Sequence, residues 1–355
     1  MASAFEQVTG YPPAPAAPPH SIFDGVAPCE LIDADRPKLL IVVDTEEAFD
    51  WSKPHSRFET NVEHIKCQVL AQRIFERFGV KPIYVIDYPV ATQEAGYRLL
   101  REWQQDGRCE IGAHLHPWVN PPFEEDVTVR NSYPGNLAPS LERAKLARLV
   151  EEVEQNFEKR PVFYRAGRYG IGPATGAILE ELGFRFDSSV VPCTDFSHDF
   201  GPDFSDFDTS AFWFGPQRRV LEIPLTAGWC GLLRQKGRQF RPIIHGARAM
   251  RLHVPGMFAR SGLLERIRLT PEGNSFVELK RLTNTLFADG VRVFNFTYHS
   301  PSLESGNTPY VRSAGELRRF LEVIERYCDY FFGALGGTAC SLDGICHSPR
   351  PPIFG

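Results

Sequence analysis

The sequence predicts an α/β fold of parallel strands with crossover helices, and three observations predict it. From residue 38 onward, short apolar runs alternate with segments of helical periodicity. There are seven such runs, a number that suits a (β/α) barrel better than an open sheet. Several of them end in ionisable residues, while their interiors carry few charges, and α/β barrels place their chemistry at the C-terminal ends of the strands.

The elements follow in chain order. Residues 1–36 are rich in Pro and Ala, lack periodicity, and read as an extended N-terminal arm. Residues 37–355 read as one domain. "KLLIVVDTE" (38–46) is a buried strand, and "VEHIKCQVLAQRIFERFG" (62–79) an amphipathic helix stopped by glycine. "KPIYVID" (81–87) is the second strand, followed by a helix over 93–104. "CEIGAHLH" (109–116) is the third, followed by a Pro-rich loop and a charged helix over 139–158. "VFYRAG" (162–167), "FRFDSS" (184–189), "LEIPLTA" (221–227) and "VFNFTYH" (293–299) complete the strands, with helices over 173–182, 274–288 and 313–333. An insert of about 230–272 precedes the last strand.

Composition narrows the function. Of 355 residues, 43% are hydrophobic, enough for a sizeable core, and the net charge is −5. With a sequence pI near 6.1, a general nucleic-acid binder is disfavoured. The opening residues lack the basic start and apolar centre of a secretory signal, and no run reaches the ~18 apolar residues of a membrane span. The eight cysteines form no CxxC pair and read as reduced thiols of a cytoplasmic protein. Oligomeric state is not legible.

The strand ends carry the chemistry. The first run ends in Asp44 and Glu46, the third in His114 and His116; Arg165 lies on the fourth, Asp187 on the fifth, and His299 closes the seventh. Residues two apart on a strand share a face. Asp44 and Glu46 therefore point together, as do His114 and His116. Two imidazoles and a carboxylate converging from neighbouring strands suit a divalent metal, Zn²⁺ foremost, with positions left open for water and substrate. Taken singly, each residue has a plainer reading: a capping acid, a hydrogen-bonding His, an Arg165–Asp187 ion pair at the rim.

In order, "VVDTEE", "EIGAHLHPW", "FYRAGRYG", "FDSS" and "FNFTYHSPSL" resemble the five motifs of the polysaccharide deacetylase (NodB-homology) family, over residues 38–335. The resemblance implies a distorted (β/α)7 barrel and metal-dependent removal of acetyl from an N-acetylated sugar. It implies Asp44 as general base, Glu46 with His114 and His116 as metal ligands, Arg165 orienting the base, and His299 as general acid. Asp187 would lie near His299 or near Arg165. The family's histidines are usually four apart; here the interval is two, and either both bind the metal or only one does. Asp50, Trp51 and His55 are spare candidates. Hydrolysis of another linear or cyclic amide, or carbohydrate binding without catalysis, are the other functions such a barrel supports.

Two further stretches bear on the substrate. "TDFSHDFGPDFSDFDTS" (194–210) interleaves four Phe with five Asp and suits a rim loop whose rings stack on sugars. Residues 234–269 carry nine Lys or Arg and only Glu265 as acid, which suits an anionic surface, or else a solvated excursion over the barrel. Trp118, Tyr169 and Trp229 are candidate substrate contacts.

Overall fold

A computed structural model describes residues 22–23, 26–32, 35–237, 239–240 and 262–347. Its centre is a curled sheet of seven parallel strands. In chain order these are β1 (Lys38–Thr45), β2 (Ile83–Ile86), β3 (Glu110–Leu115), β4 (Phe163–Ala166), β5 (Phe186–Asp187), β6 (Val220–Glu222) and, later, β9 (Val293–His299). They lie in the order β6-β5-β4-β3-β2-β1-β9, so each strand neighbours its predecessor and the last returns to the first. This is the expected barrel, open at one seam.

The seam falls between β6 and β9, where an antiparallel ribbon of β7 (Ala227–Cys230) and β8 (Glu265–Arg268) inserts. Thr226 N–H donates to Asn295 O at 3.4 Å, Leu269 N–H to Thr226 O at 2.8 Å, and Thr297 N–H to Leu269 O at 3.1 Å. The backbone on either side of the ribbon thus bridges the gap. The sequence reading merged 221–227 into one strand; Pro224, which lacks an N–H, ends β6 before the chain resumes as β7.

Period-two alternation sorts the side chains. Leu39, Ile41 and Val43 pack outward beneath the helices. Leu40 and Val42 point into the barrel with Ile83, Val85, Phe163, Phe186, Leu221 and Val293. The outer layer comprises α1 (Val69–Arg77), α2 (Glu94–Gln105), α3 (Pro139–Phe157), α4 (Thr175–Glu181), α5 (Phe276–Ala288) and α6 (Ala314–Cys328). The stretch read as a helix from 62 enters through a 3₁₀ segment, Glu63–Gln68. No described helix is long and apolar enough to cross a membrane.

Two expectations are corrected. The last part of the arm, read from its lack of periodicity as an extended segment apart from the domain, is docked onto it: Phe23 is buried against Phe207, Phe212 and Phe214. Ala27–Pro28 pairs with the short strand Phe212–Phe214, which itself lies antiparallel to β6. Residues 1–21 lie outside the described residues. The cysteines are not all free thiols either. Cys29 and Cys346 form a disulfide with their Cα atoms 6.0 Å apart, a normal span for such a bridge, and six remain free. The expected cytoplasmic placement, which rested on reduced thiols, loses that support. Most of the basic stretch, residues 241–261, also lies outside the described residues.

Candidate active site

The inward alternation of β1 continues past Val42 to Asp44 and Glu46. On β3 the same face carries His114 and, just beyond the strand, His116. All four side chains are buried. Glu46 Oε2 lies 3.4 Å from His114 Nε2 and 3.4 Å from His116 Nε2. The ring centroids of the two imidazoles are 4.6 Å apart. A spacing near 3.4 Å is about the edge between two ligands that each stand 2.0–2.2 Å from one tetrahedral ion.

The donor chemistry agrees with that spacing. His114 Nδ1–H donates to Arg165 O at 2.9 Å, and His116 Nδ1 meets Glu47 Oε2 at 2.9 Å. With both Nδ1 atoms committed, both Nε2 lone pairs face Glu46. Burial holds both imidazoles below their ordinary range, His116 at about 4, so they are neutral near pH 7, the form that ligates. Burial also raises the Glu46 carboxyl, against the pull of His299 and His114. A buried carboxylate facing two neutral imidazoles is a site whose desolvation cost a divalent cation would offset. Glu46, His114 and His116 therefore fit a metal.

Beside this trio stands an acid–base pair. Asp44 Oδ1 accepts from the Arg165 guanidinium. Arg165 is itself fully buried and donates to Thr297 Oγ1 at 2.8 Å, Ser188 O at 2.8 Å and Ser188 Oγ at 2.9 Å. Burial would raise Asp44; Arg165, His114 and His299 together outweigh it and hold the carboxyl below its usual range. His299 Nε2 lies 3.5 Å from Asp44 Oδ2, and the two residues are opposed in the β1–β9 register. The other ring nitrogen, Nδ1, meets Glu272 Oε2 at 2.7 Å. Glu272 is fixed in turn by the His299 amide at 3.1 Å and Ser302 Oγ at 2.6 Å.

One cleft opens over both groups. Its walls include Trp51, His55, Tyr133, Arg168, Tyr169, Phe196, Arg268 and Tyr310. Trp51 meets the His299 ring edge-on with centroids 5.0 Å apart, and His55 stacks on Trp118 at 4.2 Å. Arg168 and Tyr169 enter from successive left-handed residues, φ 54° and 60°, a conformation worth roughly 1–3 kcal/mol of strain per non-glycine residue and concentrated at functional sites. Gly167 precedes them because the backbone crosses close to β3: a Cβ there would stand 2.6 Å from His116 Cδ2.

Comparison with known proteins adds likeness without identity. No family model matches the chain, and no curated protein does. Similar solved structures include a protein described as a polysaccharide deacetylase from Mycobacterium smegmatis, 16% identical with a TM-score of 0.40, covering 92% of this chain and 100% of that one. An allantoinase is 15% identical with a TM-score of 0.46, over 84% of this chain and 85% of its own. A further protein described as a polysaccharide deacetylase, from Pseudomonas aeruginosa PAO1, is 15% identical with a TM-score of 0.46, over 82% and 84%. At such identities and scores the chemistry has to be read from this chain's own residues.

Two sequence-predicted residues, Asp187 and Trp229, do other work. Asp187 does not reach His299. It is opposed to Tyr164 and Glu222 in the sheet register, hence on their face, one residue out of step with the barrel interior. It accepts from Ser189 Oγ at 2.7 Å, and Glu272 holds His299 in its place. Trp229 lies outside the cleft, packed with Leu264, Leu233 and Phe240. Trp118 is buried but does line the cleft, as expected of a substrate contact; it also stacks on His116 at 4.2 Å and donates to Glu47 Oε1 at 2.8 Å, so it braces a histidine as well. Tyr169 does line the cleft. Asp50 pairs at the surface with Lys53 at 3.0 Å.

The sequence reading passed over three acids. Glu272 sits in a turn after β8, where no strand-end pattern marks it. Glu47 follows Glu46 directly and points to the other side, under His116. Asp87 ends β2 as visibly as Asp44 ends β1; its carboxylate accepts from Glu47 N at 2.7 Å and from Val90 N at 2.8 Å. Because Glu47 orients His116, Glu47→Gln should weaken metal binding about 10–100-fold. Competitive titration against a zinc indicator measures this directly; affinity equal to wild type would leave Glu47 a purely structural residue.

Proposed function

We propose that this chain is a metal-dependent amide hydrolase that removes an acetyl group from an N-acetylated sugar or glycan intermediate. The observation that carries the reading is the placement of Glu46, His114 and His116 at a metal-like spacing, next to a carboxylate and an imidazole held by separate partners. An acyl-transfer site needs these parts and has little use for a buried ion-paired carboxylate otherwise.

Glu46, His114 and His116 would hold the cation, which supplies a Lewis acid for the acyl oxygen and lowers the pKa of water. Asp44, kept ionised by Arg165, takes the proton from the attacking water. His299 Nε2 gives a proton to the departing nitrogen, while Glu272 fixes the ring through Nδ1 and stabilises its charge. The aromatic walls, Trp51 and Tyr310 foremost, offer faces on which a sugar ring can lie and exclude water from the reacting groups. An allied reading, hydrolysis of a non-sugar amide, uses the same machinery and differs only in what the walls accept.

Acetate release from N-acetylglucosamine oligomers tests the proposal. Turnover should vanish after dialysis against dipicolinate and return with one equivalent of Zn²⁺ per chain. Undiminished turnover by metal-free protein would overturn it.

A further inference from the structure

We propose that the substrate carries an anionic group, a carboxylate or a phosphate, and that Arg268 receives it; this rests on the hydrolase reading above.

The starting observation is an imbalance among the charges lining the cleft. Each carboxylate there has a partner in the protein: Asp44 has Arg165, Glu272 has His299 and Ser302, and Asp199 has Arg168. Glu46 faces the two histidines, and Asp195 accepts from Ser197 N at 2.9 Å. The other arginines are engaged too. Arg168 donates to Ser132 Oγ at 2.6 Å as well as to Asp199, and Arg266 donates to Thr194 Oγ1. Arg268 differs. It lines the same cleft and is half-buried, yet among the described residues its guanidinium makes no ion pair and donates no hydrogen bond.

The fold explains how it comes to be there. Arg266 and Arg268 are two apart on β8 and share its cleft face. The same segment continues through Thr270, also in the cleft wall, to Glu272, which holds His299. Arg268 is thus tethered to the acid–base pair by four residues, at most about 14 Å of chain. An anion bound there sits on the acylated sugar itself or on its neighbour. The guanidinium fork fits a carboxylate or phosphate through two parallel N–H donors. A partly desolvated fork without a protein partner is costly unless the ligand supplies one.

Isothermal titration of the zinc-loaded protein with three probes tests this: N-acetylglucosamine, N-acetylglucosamine 6-phosphate and N-acetylmuramic acid. Wild type should bind at least one anionic probe about 10–100-fold more tightly than the neutral sugar, the range of a charged hydrogen-bonded pair. The tighter of the two identifies phosphate or carboxylate. Arg268→Gln should reduce the ratio to about threefold or less, and Arg268→Lys should restore part of it. Equal affinities in wild type would overturn the proposal. So would a preference that survives in Arg268→Gln, since the metal would then be its source. Hydrolysis of 4-nitrophenyl acetate, followed in parallel, separates the two claims. An anion preference without any hydrolysis keeps the Arg268 subsite and refutes the enzymatic reading.

Discussion

Asp44→Asn is expected to lower kcat for deacetylation by roughly 10²–10⁴-fold while zinc content stays at the wild-type level. The loss follows from geometry: Asp44 Oδ2 faces His299 at 3.5 Å and its other oxygen takes the Arg165 guanidinium, so neither oxygen belongs to the Glu46–His114–His116 trio. Asparagine preserves the shape and an acceptor for Arg165 but cannot take a proton. It also leaves a fully buried guanidinium without its counter-charge. Breaking a buried pair by removing one partner outright costs about 3–5 kcal/mol, so the asparagine variant should melt lower by some part of that. Steady-state kinetics with metal analysis on the same preparation decides the assignment. Turnover within tenfold of wild type would remove Asp44 as the base, and loss of zinc would make it a ligand.

The second large effect falls on His299. His299→Ala should slow amide cleavage by about 10²–10⁴-fold but slow 4-nitrophenyl acetate, whose leaving group needs no proton, far less. Equal losses would mean that His299 only shapes the cleft. The pH profile adds an independent check. Burial alone would lower the imidazole; Glu272 first, then Glu46 and Asp44, outweigh it and raise His299 to about 10. The imidazole is therefore charged at neutrality, and the general acid proposed here is lost as pH rises toward that value, giving kcat/KM an alkaline limb. Glu272→Gln removes the largest raising charge, so the limb should shift to lower pH. The sign for stability is the same: a raised imidazole contributes fully below its unfolded value near 6.5, and the contribution is lost as pH rises through the folded one. Thermal unfolding of Glu272→Gln should accordingly show a smaller loss of stability between pH 7 and 10 than wild type.

The particular residues show what the sequence could convey. Asp44, Glu46, His114 and His116 were legible because β1 and β3 are regular: alternation carries the face of Val42 on to Asp44 and Glu46 without interruption. Arg165 was legible for the same reason. Asp187 was misplaced with respect to His299 because β5 has only two paired residues, too few to fix which side its acid takes; of its two expected neighbours it keeps Arg165, whose charge acts on its carboxyl. Glu272 was invisible because it reaches His299 from a turn beyond the ribbon, a contact set by tertiary packing and by no local period. Trp229 failed similarly: a tryptophan on a strand is as readily core as cleft, and here Leu264, Leu233 and Phe240 cover it. The disulfide between Cys29 and Cys346 joins chain ends 317 residues apart, and no spacing rule predicts such a pair.

The opposed positions of Asp44 and His299 in the β1–β9 register have a consequence for biosynthesis. β1 leaves the ribosome about 250 residues before its partner does, so until residue 299 has been added one flank of β1 has no β9 to pair with. A nascent chain of that length presents an apolar, unpaired strand edge, the kind of surface that associates with other chains or calls for a chaperone. Asp44 and His299, the proposed base and acid, meet only when that long-range pairing forms, the slow class of contact in folding. Catalytic competence would therefore appear with the β1–β9 pairing and not before it, which would make the first detectable turnover a clock for that step.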